Sequence, residues 1–161
     1  MDRLDRKILA LLQEDATLPV TDVARQVGLS TTPCWRRIQK MEEDGVIKER
    51  VAILDPEKIN AGITIFVSIN TSTHSVEWLD DFSRHVASLP EVVEVYRMSG
   101  DVDYLLRVLV PNMSAIDAFH KRLVSKLDIR TVSLSFAIEK IKYATQLPLE
   151  YMQLSSSRYS G

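Results

Sequence analysis

The sequence has a single cysteine among its 161 residues, five glycines, six prolines and no long uncharged apolar run. One cysteine excludes an internal disulfide framework. The three histidines, His74, His85 and His120, fall in different segments, so they form no cluster with the spacing of metal ligands. A membrane span needs about 18 consecutive apolar residues, which the chain does not offer, and its first residues are not a signal peptide. We expect a cytoplasmic protein with no structural metal and no membrane partner.

The chain also lacks an excess of positive charge, because 20 lysines and arginines face 22 acidic residues, for a net charge of −2. Such a chain is not attracted to nucleic acid as a whole, so any binding must come from a local patch. The stretch from Ser30 to Met41 is such a patch: it carries Arg36, Arg37 and Lys40 and no acidic residue. A solvated helix face is the ordinary explanation of this pattern, and the neighbouring segments must decide between the two.

Residues 29–45 predict one helix whose two ends are marked in the sequence. Ser30 is a suitable N-cap, and Pro33 lies in the first turn, where its missing N–H does no harm. Gly45 can take the left-handed conformation that follows a helix. The residues at helical spacing that predict a buried stripe are Cys34, Ile38 and Met41. The residues left for solvent or a partner are Thr31, Thr32, Arg36, Arg37, Gln39 and Lys40.

Two further helices are expected before this one. Apolar side chains over residues 4–12 recur on one helical face, and Thr21 can cap a short helix that Gly28 ends. Only Leu29 separates Gly28 from Ser30. A helix, a short helix, a glycine turn and a basic capped helix, in this order, are typical of a helix-turn-helix domain. The alternative is a plain helical hairpin that packs and binds nothing.

In a helix-turn-helix domain the third helix enters the major groove of double-stranded DNA. Arg36 and Arg37 are the leading contacts, because a guanidinium binds either a phosphate or the O6 and N7 atoms of guanine. The supporting candidates are Thr31, Thr32, Gln39 and Lys40. Trp35 either packs beside Cys34 or touches DNA. Cys34 itself is interpreted as a small core residue, with a redox sensor as the alternative, since a reactive thiol needs exposure.

The second half of the chain has the pattern of an α+β domain. Residues 46–54 alternate as in a strand and predict a wing or linker that extends to residue 62. Ser75 and Ser114 are suitable helix caps. The predicted elements are strand, helix, strand, strand, helix and strand, over residues 63–70, 76–89, 92–98, 104–110, 114–127 and 132–141. This is the order of a ferredoxin-like βαββαβ unit.

An antiparallel sheet that carries both helices on one face leaves its other face uncovered. The residues expected to place apolar side chains, with their neighbours, on both faces of the sheet are Phe66, Val95, Leu106 and Phe136. An exposed apolar face is typical of an interface. A second copy of the chain is the economical cover, so we expect a homodimer.

The turn over residues 99–103, between the second and third strands, is the candidate ligand site. Backbone N–H groups around Gly100 can hold the carboxylate of an amino acid, and Asp101 or Asp103 can receive its ammonium group. A hairpin turn needs no ligand, so that alternative stays open. Further candidates for the lining of the site are Met98, Ser133 and Ser135.

Four stretches of the chain resemble the Lrp/AsnC (leucine-responsive, feast/famine) family of transcriptional regulators. They are Asp2–Leu9, Leu29–Ile47, Leu54–Ile59 and Gly100–Leu105, in the order in which the family has them. The sequence Thr32-Pro33-Cys34-Trp35, together with residues 136–143, is most similar to a branch that includes regulators of cysteine detoxification.

This resemblance implies a DNA-binding dimer whose C-terminal sheets pair, assembled further into octamers, with small amino acids bound where dimers meet. Cysteine and branched-chain amino acids are the candidate effectors. The effector turn would comprise Gly100, Asp101, Asp103 and Tyr104. The expected domains are a helix-turn-helix domain (1–46), a strand and hinge linker (47–62), an effector and oligomerisation domain (63–143), and a tail (144–161) that is partly disordered from residue 154.

The expected function is therefore that of a sequence-specific DNA-binding transcriptional regulator, associated with the nucleoid, whose activity a small amino acid modulates. Two other classes stay open, namely an amino-acid-binding regulatory module of metabolism without DNA binding, and an enzyme built on the ferredoxin-like unit. An enzyme is disfavoured because the sequence offers no nucleophile–base pair and no phosphate-binding glycine loop. We expect no cofactor.

Overall fold

In the computed structural model, which describes residues 1–154, the signals near the N-terminus produce three helices. Their bounds are Arg3–Glu14 (α1), Val20–Val27 (α2) and Thr31–Glu43 (α3). Gly28 ends α2 with φ 76° and Gly45 follows α3 with φ 71°, as predicted, because glycine takes this left-handed conformation at no steric cost. Ser30 occupies the N-cap position of α3, but its side chain makes no capping bond.

The start of α2 differs from the prediction. Pro19, not Thr21, occupies the N-cap position, and no side chain caps the helix. Proline has a fixed φ close to the value that the first residues of a helix need, so it prepares the chain for a helix without a capping bond. The three helices bury one core, which consists of Ile8, Leu9, Leu12, Val23, Ala24, Val27, Cys34, Ile38 and Met41.

The strand predicted over residues 46–54 is not formed, and this expectation was wrong. A strand needs a neighbour for its backbone N–H and C=O groups, and within residues 1–154 no other strand pairs with this segment. Its apolar side chains stay exposed: Val51, Ile53 and Leu54 are 68%, 57% and 63% accessible. Alternating polar and apolar residues thus indicate a segment that can form a strand, but a strand forms only where a partner strand is available.

The second half of the chain forms the predicted ferredoxin-like βαββαβ unit. Its elements are Ile63–Asn70 (β1), Val76–Ala87 (α4), Val92–Arg97 (β2), Tyr104–Val110 (β3), Met113–Val124 (α5) and Thr131–Phe136 (β4). The sheet is antiparallel, with the strand order β2-β3-β1-β4. Both helices pack on one face, where Phe82 and Phe119 are fully buried against strand residues such as Val67 and Leu106.

Several element ends in this unit differ from the predictions, among them the end of β4 and the start of α5. β4 stops at Phe136 instead of residue 141: its pairing with β1 ends at Ile65, apart from one hydrogen bond from the N–H of Ala137 to the carbonyl oxygen of Thr64. α5 is capped by Asn112, whose side chain accepts a hydrogen bond from the N–H of Ala115, and not by Ser114. Ser75 caps α4 as predicted, since its hydroxyl accepts from the N–H of Trp78 at 3.1 Å.

The register of the strands assigns each side chain to a face of the sheet. Three of the four apolar residues expected to serve both faces lie on the helix side. Leu106 is itself a core residue, and Val95 and Phe136 are paired with the core residues Leu106 and Ile65. Phe66 lies on the open side. Its apolar companions on that side are Tyr96, Leu105 and Leu109. The open side is therefore partly apolar, as predicted, but of the four named residues only Phe66 lies there.

By contacts, the chain divides into two compact units: Met1–Ala52 with Lys142–Gly161 (unit 1), and Ile53–Ile141 (unit 2). The segment predicted as a tail thus belongs, as far as it is described, to the helical unit. Leu149 and Met152 pack against the helical core, beside a short 3-10 helix at Leu149–Tyr151. Residues 155–161, within the part where we expected disorder, lie outside the described residues.

Gln13 of α1 fastens this C-terminal segment. Its side-chain N–H donates to the carbonyl oxygen of Leu147 at 3.2 Å, and its side-chain oxygen accepts from the N–H of Leu147 at 2.7 Å. One amide side chain thereby satisfies both backbone groups of a residue 134 positions away. We call residues 142–152 the strap.

Gln13→Ala should release the strap, because it removes both hydrogen bonds to Leu147. We expect the N–H of Leu147 to exchange with solvent markedly faster, and unit 1 to lose about 1 kcal/mol of unfolding free energy. Residue-resolved hydrogen exchange measures the first effect and denaturant unfolding the second. Gln26→Ala, an exposed change on α2, is the matched control and should alter neither. Unchanged exchange at Leu147 in Gln13→Ala would contradict this arrangement.

Candidate nucleic-acid interface and ligand site

The exposed side of α3 is the candidate nucleic-acid interface. Burial of Cys34, Ile38 and Met41 turns the opposite side of the helix to solvent, and Arg36 lies there. Arg36 makes no hydrogen bond or ion pair with any of residues 1–154. Thr31 and Thr32 are exposed in the first turn, which holds no acidic residue. The partial positive charge at the start of α3 is therefore uncompensated and suits a phosphate group.

Arg37, the other leading candidate, has a different environment. Its Nη1 atom donates to Asp2 Oδ2 and to Asp5 Oδ1, each at 2.7 Å. Asp2 and Asp5 also cap α1: the Asp2 carboxylate accepts from the N–H groups of Leu4 and Asp5, and the Asp5 carboxylate accepts from the N–H of Asp2. Asp2 and Asp5 lie more than 30 positions from Arg37, so no local pattern in the sequence indicates this bond.

These contacts shift the pKa values of Asp2 and Arg37. Burial alone would raise the pKa of Asp2, but hydrogen bonds from the Asp5 N–H and from Arg37 outweigh it and lower the pKa. The hydrogen bonds to Asp5 and Asp2 raise the pKa of Arg37. A carboxylate with a lowered pKa stabilises the fold above its ordinary pKa, and this stabilisation disappears as the pH falls through the lowered value. The ion pair between Asp2 and Arg37 is thus fully formed at neutral pH.

The remaining candidates on α3 have partners nearby. Lys40 pairs with Asp44 at 3.0 Å across an exposed helix end, a contact that water weakens. The side-chain amide of Gln39 donates to Glu42 at 2.8 Å. Trp35 is half exposed and lines a groove with Leu12, Leu18, Val20 and Ile38, so it packs against the helical unit on one side and faces solvent on the other.

Cys34 is fully buried in the helical core. Burial raises the pKa of its thiol, and the positive charge of Arg37 offsets this effect only in part. A buried neutral thiol is a poor nucleophile, because the thiolate is the reactive form. The geometry therefore agrees with a small core residue.

The turn after β2 has the features of an anion site. Gly100 has φ 122°, a conformation that favours glycine. Within the described chain, the N–H groups of Gly100, Asp101 and Val102 make no hydrogen bond. The Asp101 side chain is exposed and likewise makes no bond to residues 1–154. These groups are free to bind a carboxylate and an ammonium group.

Asp103, Tyr104 and Met98 hold the turn on the sheet. The Asp103 carboxylate accepts from the N–H of Thr71 at 2.9 Å, and its own N–H donates to the Asn70 side chain. The N–H of Met98 donates to the Asp103 carbonyl at 2.8 Å. Tyr104 is buried, and its ring packs against Trp78 and Phe82 at centroid distances of 5.5 and 4.6 Å. Tyr104 is thus a core residue.

Ser133 and Ser135 lie on the open side of β4, opposite Ser68 and Phe66 of β1. Because β1 separates β4 from β3, the two serines are about 10 Å from the strand that carries the turn. In a single chain they are therefore not brought into contact with the turn.

Sequence reasoning missed a polar network on the open side of the sheet. Arg107 Nη2 donates to Glu94 Oε1 at 2.6 Å, and the Tyr96 hydroxyl donates to Glu94 Oε2 at 2.8 Å. The hydrogen bond from Arg107 lowers the pKa of Glu94. Acidic, aromatic and basic residues at positions of one strand face were visible in the sequence, but their pairing depends on the register of β2 and β3.

Over residues 1–154, no helix is long and apolar enough to cross a membrane, and no three residues of His, Cys, Asp or Glu are placed to hold a metal ion. A helix-turn-helix with one side of its third helix exposed, followed in the chain by a ferredoxin-like unit, defines a class of protein: two-domain DNA-binding regulators.

Comparison with known proteins gives the family. Residues 1–42 match the AsnC-type helix-turn-helix domain, and residues 64–147 match the Lrp/AsnC ligand binding domain. The chain belongs to the Lrp/AsnC family of transcriptional regulators. It is a DNA-binding transcriptional regulator and not an enzyme, so the two other classes considered from the sequence are set aside.

The similarity extends over nearly the whole chain. The DNA-binding transcriptional activator DecR of Escherichia coli is 50% identical over 151 residues, 93% of this chain and 99% of DecR. The crystal structure of an AsnC family transcriptional regulator from Agrobacterium tumefaciens superimposes with a TM-score of 0.91 at 68% identity, covering 95% of this chain and all of that one. A Neisseria meningitidis transcriptional regulator in complex with L-Met has a TM-score of 0.89 at 32% identity, with 95% and 99% covered.

The environment of Cys34 predicts an inert thiol. In the folded protein, a thiol reagent such as Ellman's reagent should react with Cys34 at least about 100-fold more slowly than with the unfolded chain, because burial excludes the reagent and disfavours the thiolate. Mild peroxide should leave DNA binding unchanged. Loss of binding under peroxide that a Cys34→Ser variant resists would instead identify a redox sensor.

Proposed function

We propose that α3 enters the major groove with Arg36 as its principal side-chain contact. The exposed, unpartnered state of the Arg36 guanidinium supports this assignment, because a free guanidinium can bind a phosphate or a guanine edge at no cost in broken ion pairs. Thr31 and Thr32, at the start of the helix, are placed to bind phosphates or base edges. Gln39 and Lys40 supply further polar and positive groups from the next turn.

Arg37 changes its role in this proposal. Its Nη1 atom is engaged by two carboxylates, so a DNA contact through that atom would require two charge-assisted hydrogen bonds to break. Trp35 lies at the edge of this interface, and its exposed half can pack against the sugar–phosphate backbone.

The DNA-binding form is proposed to be a homodimer, assembled further into an octamer. One copy of α3 presents few positive charges and the chain is near neutral, so binding through two linked copies is needed for high affinity. The open side of the sheet, with Phe66, Leu105 and Leu109, offers a partly apolar surface for pairing. Two helices about one DNA turn apart would then contact successive major grooves.

A small amino acid is proposed to bind at the turn around Gly100 and to modulate DNA binding. The free N–H groups of Gly100, Asp101 and Val102 suit its carboxylate, and Asp101 suits its ammonium group. The Neisseria relative in complex with L-Met supports an amino acid as the class of ligand. Cysteine and branched-chain amino acids remain the candidates from the family resemblance, and Ser133 and Ser135 could contribute where copies meet. A regulator of this kind acts at the nucleoid, in the cytoplasm.

Arg36→Ala should weaken binding to a duplex selected from random-sequence DNA by the wild-type protein. The expected cost is about 1–3 kcal/mol, because one guanidinium contact is lost. A mobility-shift titration measures the affinity, and Arg84→Ala, which removes an exposed arginine of α4, is the matched control that should leave it unchanged. An Arg36→Ala protein that binds as tightly as the wild type would rule out this contact.

Asp101→Asn should weaken binding of the amino acid by about tenfold, because the ammonium group loses its charge partner. Isothermal titration with L-cysteine, L-leucine and L-methionine measures the affinity for each candidate. Asp117→Asn, an exposed change on α5, serves as the control and should have no effect. If the amino acids that bind do so equally well before and after the Asp101 change, the turn is not the effector site.

A further inference from the structure

One charged cluster in unit 1 connects the start of α1 with the middle of α3. Arg37 lies 35 and 32 positions from Asp2 and Asp5, yet a single nitrogen, Nη1, donates to both carboxylates at 2.7 Å. The Asp5 side chain is 12% exposed and that of Arg37 33% exposed, so water screens this contact less than a surface ion pair. We call these three residues the clamp.

The capping hydrogen bonds of α1 hold the two carboxylates of the clamp in place independently of Arg37. Each one accepts a hydrogen bond from the backbone of the other, at 2.7 Å to Asp5 and 3.0 Å to Asp2, as the capping box of α1. Two carboxylates this close repel each other unless a cation lies between them. The acceptor atoms therefore define one position for the guanidinium, and a flexible arginine loses less entropy in meeting a preorganised acceptor than in ordering a loose one.

Arg37 also occupies a particular place on α3. It follows Arg36 directly and precedes the buried Ile38, so it lies at the flank between the exposed side and the core. The apolar stripe on α3 keeps the helix against the core, but apolar contacts are not directional. A directed ion pair at the flank resists rotation of α3 about its own axis. Such a rotation would turn Arg36 away from the exposed position that it has in the structure.

We propose that Arg37 is a positioning residue, which the carboxylates of Asp2 and Asp5 hold so that α3 presents Arg36 to DNA. The first residues of the chain are then part of the recognition apparatus, although they lie outside the helix that reads DNA. The inference rests on the proposed contact of α3 with DNA, but its test uses variants other than Arg36→Ala and can fail independently of that contact.

Because Asp5 is negatively charged, a variant that neutralises it distinguishes positioning from simple electrostatic attraction to DNA. Asp5→Asn removes a negative charge from the DNA-binding unit, and on electrostatic grounds alone this change strengthens binding to DNA. Positioning predicts the opposite, because Arg37 loses one of its two acceptors. Asp22→Asn is the matched control: it removes an aspartate of α2 whose one ion pair among residues 1–154 is with the exposed Arg25, and it should not weaken binding.

The experiment measures dissociation constants of the full chain for the selected duplex over a range of salt concentrations. Asp5→Asn and Arg37→Gln should each weaken binding about tenfold, and the double variant should be no weaker than either single one, because both changes break the same unit. The slope of log K against log salt should stay unchanged. If Arg37 instead contacts a phosphate, Arg37→Gln lowers that slope by about one per copy and Asp5→Asn does not weaken binding. That result would overturn the proposal.

A second measurement separates positioning from a loss of folded protein. Binding to an unrelated duplex of the same length uses sequence-independent phosphate contacts, which Arg36 can make from several orientations of α3. Affinity for that duplex therefore depends on the folded fraction but little on the direction of Arg36. The proposal expects the loss in Asp5→Asn and Arg37→Gln to be confined to the selected duplex. An equal loss on both duplexes, with or without unfolding, would contradict a positioning role.

Discussion

Burial of the apolar stripe on α3 is the constraint on which the DNA-binding unit depends. Cys34, Ile38 and Met41 recur at helical spacing, and their removal from water fixes which side of α3 faces the core. The exposed side follows from this choice, because residues on the opposite side of the helix then face solvent. The position of Arg36 on that side is thus a consequence of packing, and the candidate interface exists because the stripe is apolar.

Directional polar contacts refine what apolar packing leaves loose. In unit 1 the clamp joins α1 to α3, and Gln13 fastens the strap by pairing with both backbone groups of Leu147. In unit 2 Glu94 accepts from Arg107 and from Tyr96 on the open side of the sheet. Each contact joins residues that the hydrophobic core alone would not hold at one distance, since hydrogen bonds depend on angle and apolar contacts do not.

The candidate ligand turn has two parts, one that is held by directional contacts and one that is free to bind. Asp103 and Tyr104 are occupied with holding the turn, through Thr71 and through the aromatic cluster with Trp78 and Phe82. The backbone around Gly100 and the Asp101 side chain have no such role. A turn anchored at one end and free at the other is suited to binding, because its rigid part fixes the position of the free groups.

The sequence by itself determined the helix ends at Gly28 and Gly45, the βαββαβ order and the stripe on α3, because caps, glycines and periodicity act over a few neighbouring residues. Only the tertiary structure decided that residues 46–54 stay unpaired, that the pairing of β4 with β1 ends at Phe136, and that Ser133 and Ser135 lie a strand away from the turn. It also gave two adjacent arginines different environments. Arg36 and Arg37 are equivalent in composition, but Arg37 meets carboxylates more than 30 positions away, and no local pattern encodes a contact between such distant residues.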